Sequence, residues 1–471
     1  MQPLLRTIAI VGAGFSGTAL AANLLRHSLP GLTRIVLIER GAEFARGAAY
    51  ADRGYPYLLN VPAARMSASS EDPLQFLKFA QRRDPSTAGE QFLPRALYGE
   101  YLAEVLLAAE LAAPRHVRLE RLRAEVRAIE RPERTAPLQV QLTNGQTLIA
   151  DDVVLACGNP PPATLPAMRT LDGCERFHAD PWSTPHRFSA TETILVVGSG
   201  LTMVDVVLAR AAGMQSLPTV HVISRHGLVP PAQSSFRPDA FKGDGDMLLL
   251  AASASMRRLL RVARVLAREA ESLGGDWREA VTFVRKMAPT LWQRLPESER
   301  RRFLRHVRAY WDIHRHRLPP ESVAGLDALR RAGALHMHAG HLRTMKPDGD
   351  GIVVTWRPRG QAKNAQQRFG RVINCTGPDY DVERSREPLL RNLVSSGLAI
   401  ADALGLGFRT GRHGALIDAD GWPGIHLYYI GPMLRAQHWE ATAAVELRGH
   451  AERLAAHLSA QTGGESTASA R

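Results

Sequence analysis

Two stretches of the chain show the same change in hydrophobic pattern. Residues 7–11 (TIAIV) and 193–197 (TILVV) are runs of β-branched and aliphatic side chains, and each is followed at once by Gly-x-Gly. After each glycine pair, apolar positions recur at intervals of three and four, the period of a helix that is buried on one face. The sequence therefore predicts two strand–turn–helix units.

Further apolar runs alternate with helical patterns along the chain. They are RIVLIE (34–39), DDVVLACG (151–158), VHVISR (220–225) and RVINCTG (371–377). Residues 117–150 predict a β-meander with a hairpin turn at Asn144-Gly145, and residues 240–325 carry a long helical pattern. This order predicts an α/β fold with two Rossmann-like dinucleotide-binding domains and a helical insertion.

The two similar turns DDVVLACG and RVINCTG bracket the second unit, which predicts that one domain is inserted into the other. We expect the first domain to take residues 1–185 and 366–460. The second domain, with its helical insertion, takes residues 186–365. The small, polar tail at 461–471 is expected to be disordered.

The glycine motifs predict sites for a pyrophosphate. A Gly-x-Gly turn brings the backbone close to a ligand, and the amides at the start of the following helix attract an anion. This assigns two sets of cofactor-binding residues: Gly12, Gly14, Phe15, Ser16 and Gly17 in the first motif, and Gly198, Gly200 and Thr202 in the second. Met203 replaces the third glycine of the second motif, so helix–strand packing there must differ.

The residues after the second strand of each unit predict different cofactors. Glu39 lies 27 residues after Gly12, and Arg225 lies 27 residues after Gly198. A carboxylate accepts hydrogen bonds from a ribose 2′-hydroxyl, whereas an arginine binds a 2′-phosphate. We therefore predict FAD at the first site, with Arg40 adjacent, and NADPH at the second, with Ser224 adjacent. A plain surface role for Arg225 is the alternative.

Composition narrows the class of protein. The chain has 45% hydrophobic residues, a formal net charge of +13 and three cysteines without a Cys-x-x-Cys pair, which argues against a dithiol redox partner. No aromatic–basic interleaving suggests nucleic acid, no apolar run is long enough for a membrane span, and no signal pattern follows Met1. We expect a cytoplasmic protein without a metal, and a solvated strand face at His336 and His338.

The chain resembles a known family over nearly its whole length. Beyond the glycines, the resemblance rests on several blocks: ERGAEFARGAAY (39–50), YLLNVPAARMSA (57–68), FLPRALYGEYL (92–102), GSGLTMVD (198–205), ISRHGLVP (223–230), WDIHRHRLP (311–319) and YYIGPMLRAQHWEATA (428–443). These are similar to the two-dinucleotide FAD/NAD(P)-binding oxidoreductases allied to flavin-containing monooxygenases and amino-acid N-hydroxylases.

The resemblance implies further site residues. Gly431-Pro432 stands where many flavoproteins have Gly-Asp, so flavin contacts would come from backbone or from Glu440, and a helix starting near Ala441 would direct its positive end at the flavin. Asn60 matches an asparagine that lies beside the flavin and hydrogen-bonds the nicotinamide or the activated oxygen. The alternative is that Asn60 caps the turn before Val61-Pro62. The remaining expected cofactor contacts are Met66, Val126 and Gly158.

The resemblance also implies an activity. NADPH would reduce FAD, and the reduced flavin would pass electrons to O2 and hydroxylate an amine nitrogen or another soft nucleophile of a small molecule, such as an amino acid. A flavin-dependent reductase or dehydrogenase without oxygen insertion is the alternative enzyme. A non-catalytic flavin-binding regulatory protein is the alternative from another class. The sequence leaves the substrate and the oligomeric state open.

Overall fold

The computed structural model describes residues 5–27, 29–134, 136–182, 189, 191–214, 218–234 and 240–461. The chain forms two compact units. The first comprises Met1–Asn159 and Tyr380–Arg471, and the second comprises Pro160–Asp379. The second unit is therefore inserted into the first, and the tail beyond residue 461 lies outside the described residues.

The unit boundaries differ from those expected at residues 185 and 366. Two short strands, Phe177–His178 and Arg371–Asn374, pair with each other, and the latter also pairs in parallel with Thr193–Val197. This pairing places residues 160–185 and 366–379 in the second unit. The sequence predicted RVINCTG as a strand of the first domain, and the structure places this strand in the second unit. The local pattern does not distinguish the two, because both sheets accept an apolar parallel strand.

The first unit is built on a six-stranded sheet. Numbered along the chain, its strands are β1 (Arg6–Val11), β2 (Thr33–Glu39), β3 (Val117–Arg123), β7 (Asp152–Leu155), β15 (Ala415–Ile417) and β16 (Pro423–Tyr429). They lie in the order β15-β16-β7-β1-β2-β3, and all the neighbours are parallel except β15 and β16. The central strands are uninterrupted runs of buried residues, as a sheet covered on both faces requires.

The predicted meander is shorter than expected. Three antiparallel strands form it: β4 (Val126–Glu130), β5 (Leu138–Leu142) and β6 (Thr147–Ala150). The predicted hairpin turn at Asn144-Gly145 is confirmed, with Gly145 at φ +85°. Residues 117–123 instead form β3, because their backbone pairs in parallel with β2.

Among the described residues, six α-helices belong to the first unit. They are α1 (Phe15–Arg26), α2 (Gly47–Tyr50), α3 (Gln75–Arg83), α4 (Arg95–Leu111), α12 (Pro388–Ser395) and α13 (Ala444–Ala460). The helix expected to start near Ala441 starts three residues later. The amide of Ala441 donates to His438 O at 2.8 Å and that of Thr442 to Glu440 O at 2.6 Å, so both are used in turns that precede α13.

The second unit is built on a seven-stranded sheet. Its strands are β8 (Phe177–His178), β9 (Thr193–Val197), β10 (Thr219–Ser224), β11 (Leu335–Asp348), β12 (Gly351–Pro358), β13 (Ala365–Phe369) and β14 (Arg371–Asn374). They lie in the order β13-β12-β11-β10-β9-β14-β8, parallel from β11 to β8 and antiparallel from β11 to β13. Separate apolar clusters include residues from the alternate faces of β9, Ile194 and Val196 in one and Leu195 and Val197 in the other.

The predicted helical insertion lies between β10 and β11. The helices of this unit are α5 (Leu201–Ala211), α6 (Gly245–Ala254), α7 (Met256–Ser272), α8 (Trp277–Arg294), α9 (Glu297–His306), α10 (Arg308–Arg315) and α11 (Pro320–Arg331). Over the residues that the structure describes, no helix has the length and apolar character needed to span a membrane.

Candidate dinucleotide-binding sites

In the first unit, four strands end together at one edge of the sheet. Three backbone hydrogen bonds of 2.8 Å show this: Ala156 N to Val11 O, Ile430 N to Leu155 O and Gly12 N to Ile38 O. The carboxyl edge of a parallel sheet is where α/β proteins bind ligands. The edge brings together the predicted residues that follow β1, β2, β7 and β16.

The first glycine turn has no room for side chains. Gly12 adopts φ +106°, and a Cβ there would lie 2.4 Å from Ala156 O; a Cβ on Gly17 would lie 1.9 Å from Gly12 O. Gly14 precedes α1, and no side chain caps the first turn. Because the first amides of a helix lack intrahelical partners, this turn fits a pyrophosphate. Phe15 and Ser16 form that first turn and are buried.

The last residue of β2 and the residue after it are held in different ways. Glu39 accepts hydrogen bonds of 2.8 Å from the amides of Ala13 and Gly41, which fixes its carboxylate against the glycine turn. The Arg40 guanidinium lies 3.3 Å from Glu125 and 3.2 Å from Glu387. The charge of Arg40 is thus compensated by two carboxylates, which leaves this edge unsuited to an additional phosphate.

The second unit repeats the geometry of the glycine turn. Gly198 also adopts φ +106°, and a Cβ there would lie 2.3 Å from Cys375 O. The amide of Cys375 donates to Val197 O at 2.8 Å, as that of Ala156 does to Val11 O. The two turns that looked alike in sequence therefore have the same structural role in the two sheets.

The strand registers correct the predicted equivalence of Glu39 and Arg225. Val11 pairs with Ile38 in the first sheet, and Val197 pairs with Ile223 in the second. Ser224 therefore occupies the position of Glu39, and Arg225 occupies that of Arg40. Counting from the first glycine misaligned Glu39 and Arg225, because the connection between the two paired strands is one residue shorter in the second unit.

Ser224 gives the second edge a neutral group where the first has a carboxylate. Its hydroxyl is hydrogen-bonded to that of Ser199 at 2.9 Å and accepts the amide of Gly227 at 2.9 Å. Ser199 corresponds to Ala13, whose amide binds Glu39. No negative charge therefore stands at this position of the second site.

Positive charge is concentrated beside Ser224. Arg225 is exposed and forms no ion pair within the described chain. The pKa of His226 is lowered, first by partial burial and then by the positive charges of Arg359, Arg225 and His341. This surface suits a phosphate. No sequence pattern indicated His341 or Arg359, and only its position next to Arg225 indicated His226.

Helix α5 begins in an open position. Gly200 has φ −83°, and a Cβ there would have no neighbour within 4 Å. Thr202 lies half-buried in the first turn. Met203, at the place of the third glycine, is fully buried in the core of the second unit, so the helix packs through a large side chain instead of close backbone contact.

The loop that carries Asn60 and Met66 is tied at several points. Its hydrogen bonds join Leu59 N to Leu93 O (2.9 Å), Ala63 N to Gln91 O (2.9 Å) and Arg448 Nη1 to Ser67 O (3.0 Å). Met66 is buried, and Asn60 is half-buried. The Asn60 side chain makes no hydrogen bond with the described residues, so the turn cap considered as the alternative does not form.

The other predicted contacts differ in accessibility. Gly158 has φ +71°, and a Cβ there would meet open space, whereas one on Gly431 (φ +142°) would lie 2.7 Å from the Tyr429 hydroxyl. The remaining predicted residues are buried: Val126, Pro432, Glu440 and Ala441. The cofactor roles of all these residues remain predictions.

Similarity to known proteins agrees with this geometry. The family model described as FAD-NAD(P)-binding matches residues 9–160. The matched residues include β1, the first glycine turn, Glu39 and β7. Uncharacterised proteins from Mycobacterium tuberculosis and Mycobacterium bovis are 25% identical over 408 residues, covering 80% of this chain and 74% of theirs.

Solved structures extend the likeness to both units. The reduced ornithine hydroxylase of Pseudomonas aeruginosa is 16% identical, with a TM-score of 0.62 over 97% of this chain and 99% of that one. The L-lysine 6-monooxygenase of Pseudomonas syringae is 17% identical (TM-score 0.64, 96% and 99% covered). The cadaverine monooxygenase of Erwinia amylovora is 14% identical (TM-score 0.60, 96% and 94% covered). The chain has the two-domain fold of these flavoproteins, as predicted.

Proposed function

We propose that the protein is an FAD-dependent, NADPH-consuming monooxygenase that hydroxylates an amine nitrogen of a small molecule. The observation that carries the proposal is the contrast between two equivalent sheet edges. One edge has Glu39 and a charge-compensated Arg40, and the other has Ser224 and an uncompensated Arg225. One edge therefore suits the ribose of FAD, and the other suits the phosphorylated ribose of NADPH.

The first unit would hold FAD along the carboxyl edge of its sheet. The turn at Gly12–Gly17 would bind the pyrophosphate, and Glu39 would exchange its hydrogen bond with Ala13 for one with the ribose. Gly158 and Gly431 would let the backbone pass close to the cofactor. When bound, FAD supplies the transfer of reducing equivalents from NADPH to oxygen.

The second unit would hold NADPH in the same manner. The turn at Gly198–Gly200 would bind the pyrophosphate, with Thr202 in the first turn of α5. Arg225 would bind the 2′-phosphate, and Arg359 would add positive potential. Ser224 would supply a neutral hydroxyl, so the phosphate meets no carboxylate.

Asn60 would act as a hydrogen-bond donor beside the reacting atoms. Its amide has no partner among the described residues, and its loop is tied by backbone hydrogen bonds. A fixed, neutral donor is suited to orient the nicotinamide or the oxygen being activated without transferring a proton. Met66, buried on the same loop, would help to exclude water.

The structural neighbours support an amine as the substrate. Their names state ornithine, lysine and cadaverine as the compounds on which they act. We therefore infer a small primary amine or amino acid as the substrate, with O2 as the oxidant. We place the reaction in the cytoplasm, since the three cysteines form no disulfide, which is typical of a reducing compartment.

Anaerobic mixing of the yellow protein with NADPH, and separately with NADH, tests the cofactor assignment. We expect NADPH to bleach the flavin much faster than NADH. Aerobic turnover with a panel of diamines and amino acids should then yield a hydroxylamine product. Reduction by NADPH with all oxygen converted to hydrogen peroxide would indicate a reductase. A flavin that neither nucleotide reduces would contradict an NADPH-dependent enzyme and favour a regulatory role.

A further inference from the structure

Helix α7 presents a line of arginines to solvent. Five of its arginines are exposed: Arg257, Arg258, Arg261, Arg264 and Arg268. Arg257, Arg261, Arg264 and Arg268 follow one another at intervals of four, three and four residues, so they lie on one face of the helix. We call the exposed arginines from Arg257 to Arg268 the α7 stripe. It is about 16 Å long at 1.5 Å per residue.

The charge of the α7 stripe is not compensated by any residue that the structure describes. None of the five arginines forms an ion pair or hydrogen bond through its side chain with a residue that the structure describes. Glu269 and Glu271 near the end of α7 do not come within ion-pair distance of these five arginines. By contrast, Arg301 and Arg302 on α9 pair with Glu297 and Glu299. The stripe is thus a concentrated positive surface without a partner in the described part of the chain.

The surrounding helices enhance the same charge. Residues 245–331 contain 18 Lys and Arg against 10 Asp and Glu, an excess of eight in a chain whose net charge is +13. The apolar face of α7 is used inside the protein, where Met256, Leu259 and Leu266 are buried. The arginine face therefore does not help to hold the fold together.

Exposed apolar side chains also occur on α7, directly after it and on its neighbour α6. Val265 lies within α7 and is 47% exposed, Leu273 directly follows α7 and is 74% exposed, and Leu250 on the packed neighbour α6 is 64% exposed. Arginine stems and exposed leucines together suit a lipid interface, where headgroup phosphates pair with the cations and apolar side chains enter the acyl boundary. A nucleic-acid backbone offers no apolar phase to these leucines.

We propose that the α7 stripe binds an anionic lipid surface, so that the protein is peripherally attached to the cytoplasmic face of a membrane. The contact is electrostatic and superficial, since the buried face of α7 stays in the core. Negative surface potential attracts such basic segments and falls off within a Debye length, so the attachment is reversible by salt. The proposal is independent of the reaction that the enzyme performs.

Co-sedimentation of the full-length, flavin-loaded protein with lipid vesicles tests the proposal. We expect binding to vesicles of phosphatidylglycerol and phosphatidylethanolamine, release at high salt, and no binding to phosphatidylcholine vesicles. R261Q/R264Q should weaken binding about 30-fold, because each arginine near the surface contributes about a factor of five. L250S/L273S should weaken the part of the binding that survives intermediate salt.

R301Q/R302Q is the matched control, since it removes the same number of charges from arginines that are already ion-paired. It should bind vesicles almost as the wild type does, and flavin reduction by NADPH should be unchanged in both double variants. Equal losses in the two variants, or no binding by the wild type, would overturn the proposal. Binding to polyglutamate or duplex DNA but not to vesicles would also overturn it and assign the stripe to an acidic protein or to nucleic acid.

Discussion

Ser199 and Ser224 are joined by a hydrogen bond of 2.9 Å between their hydroxyl groups, at the place where the first unit joins Ala13 to Glu39. The same backbone turn is thus secured by a neutral pair in one unit and by a carboxylate in the other. A carboxylate repels a 2′-phosphate, whereas a hydroxyl does not. This exchange, with the neighbouring arginine, distinguishes the two dinucleotide sites.

Arg225→Gln should reduce the preference for NADPH. Arg225 has no carboxylate partner among the residues that the structure describes, so its full charge is available to the 2′-phosphate. Loss of a charge-assisted hydrogen bond worth about 1.5–3 kcal/mol corresponds to a rise of roughly 10–100-fold in the NADPH KM. The NADH KM should change little. Steady-state kinetics with both coenzymes measures the effect.

Arg40→Gln is the control for this variant, because Arg40 is the equivalent residue of the first unit and is paired with Glu125 and Glu387. It should leave the coenzyme preference unchanged. Ser224→Glu, the reverse change, should lower NADPH affinity more than NADH affinity. Equal effects of Arg225→Gln on both coenzymes would refute the 2′-phosphate assignment.

Gly198→Ala should lower the stability of the protein, whereas Gly200→Ala should weaken NADPH binding. A Cβ on Gly198 would lie 2.3 Å from Cys375 O at φ +106°, so this variant should lose stability. We expect a cost of at least about 1–2 kcal/mol from the backbone conformation alone. Thermal denaturation measures it as a lower Tm.

Gly200→Ala should leave the Tm nearly unchanged, since its φ of −83° is ordinary and its Cβ would have open space. That open space faces the start of α5, where we propose that the pyrophosphate binds. The variant should therefore have a raised KM for NADPH with an intact flavin spectrum. Normal NADPH affinity in a well-folded Gly200→Ala protein would place the coenzyme elsewhere.

Asn60→Ala should separate flavin reduction from substrate oxidation. The Asn60 amide has no hydrogen bond within the described chain, so its removal costs the fold little. Loss of one donor at the reacting atoms typically lowers the rate about 100-fold or more. We expect hydroxylated product to fall and hydrogen peroxide per NADPH to rise, measured together in one assay.

Asn144→Ala is the control for Asn60→Ala, since Asn144 is an exposed turn asparagine of the β5–β6 hairpin. It should retain wild-type coupling of NADPH to product. If Asn60→Ala hydroxylates at the wild-type rate, Asn60 has no part in the reaction.

Three stacked histidines should make the second unit sensitive to acid. The ring of His221 lies 4.8 Å from that of His336 and 5.1 Å from that of His338, and its Nδ1 is 2.9 Å from His338 Nε2. Burial, followed by charge repulsion from His338 and His336, lowers the pKa of His221 from 6.5 to about 4. On the strand face predicted to be solvated, His336 is exposed, and it and half-buried His338 each stack on His221 of the neighbouring strand.

The folded state binds a proton on His221 less tightly than the unfolded state does. The contribution of this cluster to the free energy of unfolding is therefore complete only above pH 6.5. That contribution is lost as the pH falls from 6.5 toward the folded pKa of about 4. Urea unfolding at several pH values should show a midpoint that declines over this window. His221→Gln should make the decline shallower, while an unchanged slope would show that other groups cause it.

Local pattern alone was enough to predict the two glycine turns. Gly12 and Gly198 follow apolar strands, and only glycine tolerates φ +106° with a carbonyl oxygen at the position of its Cβ. The alternation of strands and helices predicted the α/β class, and the repeat of DDVVLACG in RVINCTG predicted the insertion of one unit into the other. These features depend on residues close together in the chain.

Tertiary structure alone decided which residues meet across strands. Counting along the sequence made Arg225 equivalent to Glu39, but the strand registers make Ser224 equivalent to Glu39. The register is set by hydrogen bonds between the strands and does not depend on the length of the connection between them. The compensation of Arg40 by Glu387 and the grouping of His226 with Arg359 join residues more than a hundred positions apart. Such neighbours are set by how the strands pack, and no local pattern of side chains encodes them.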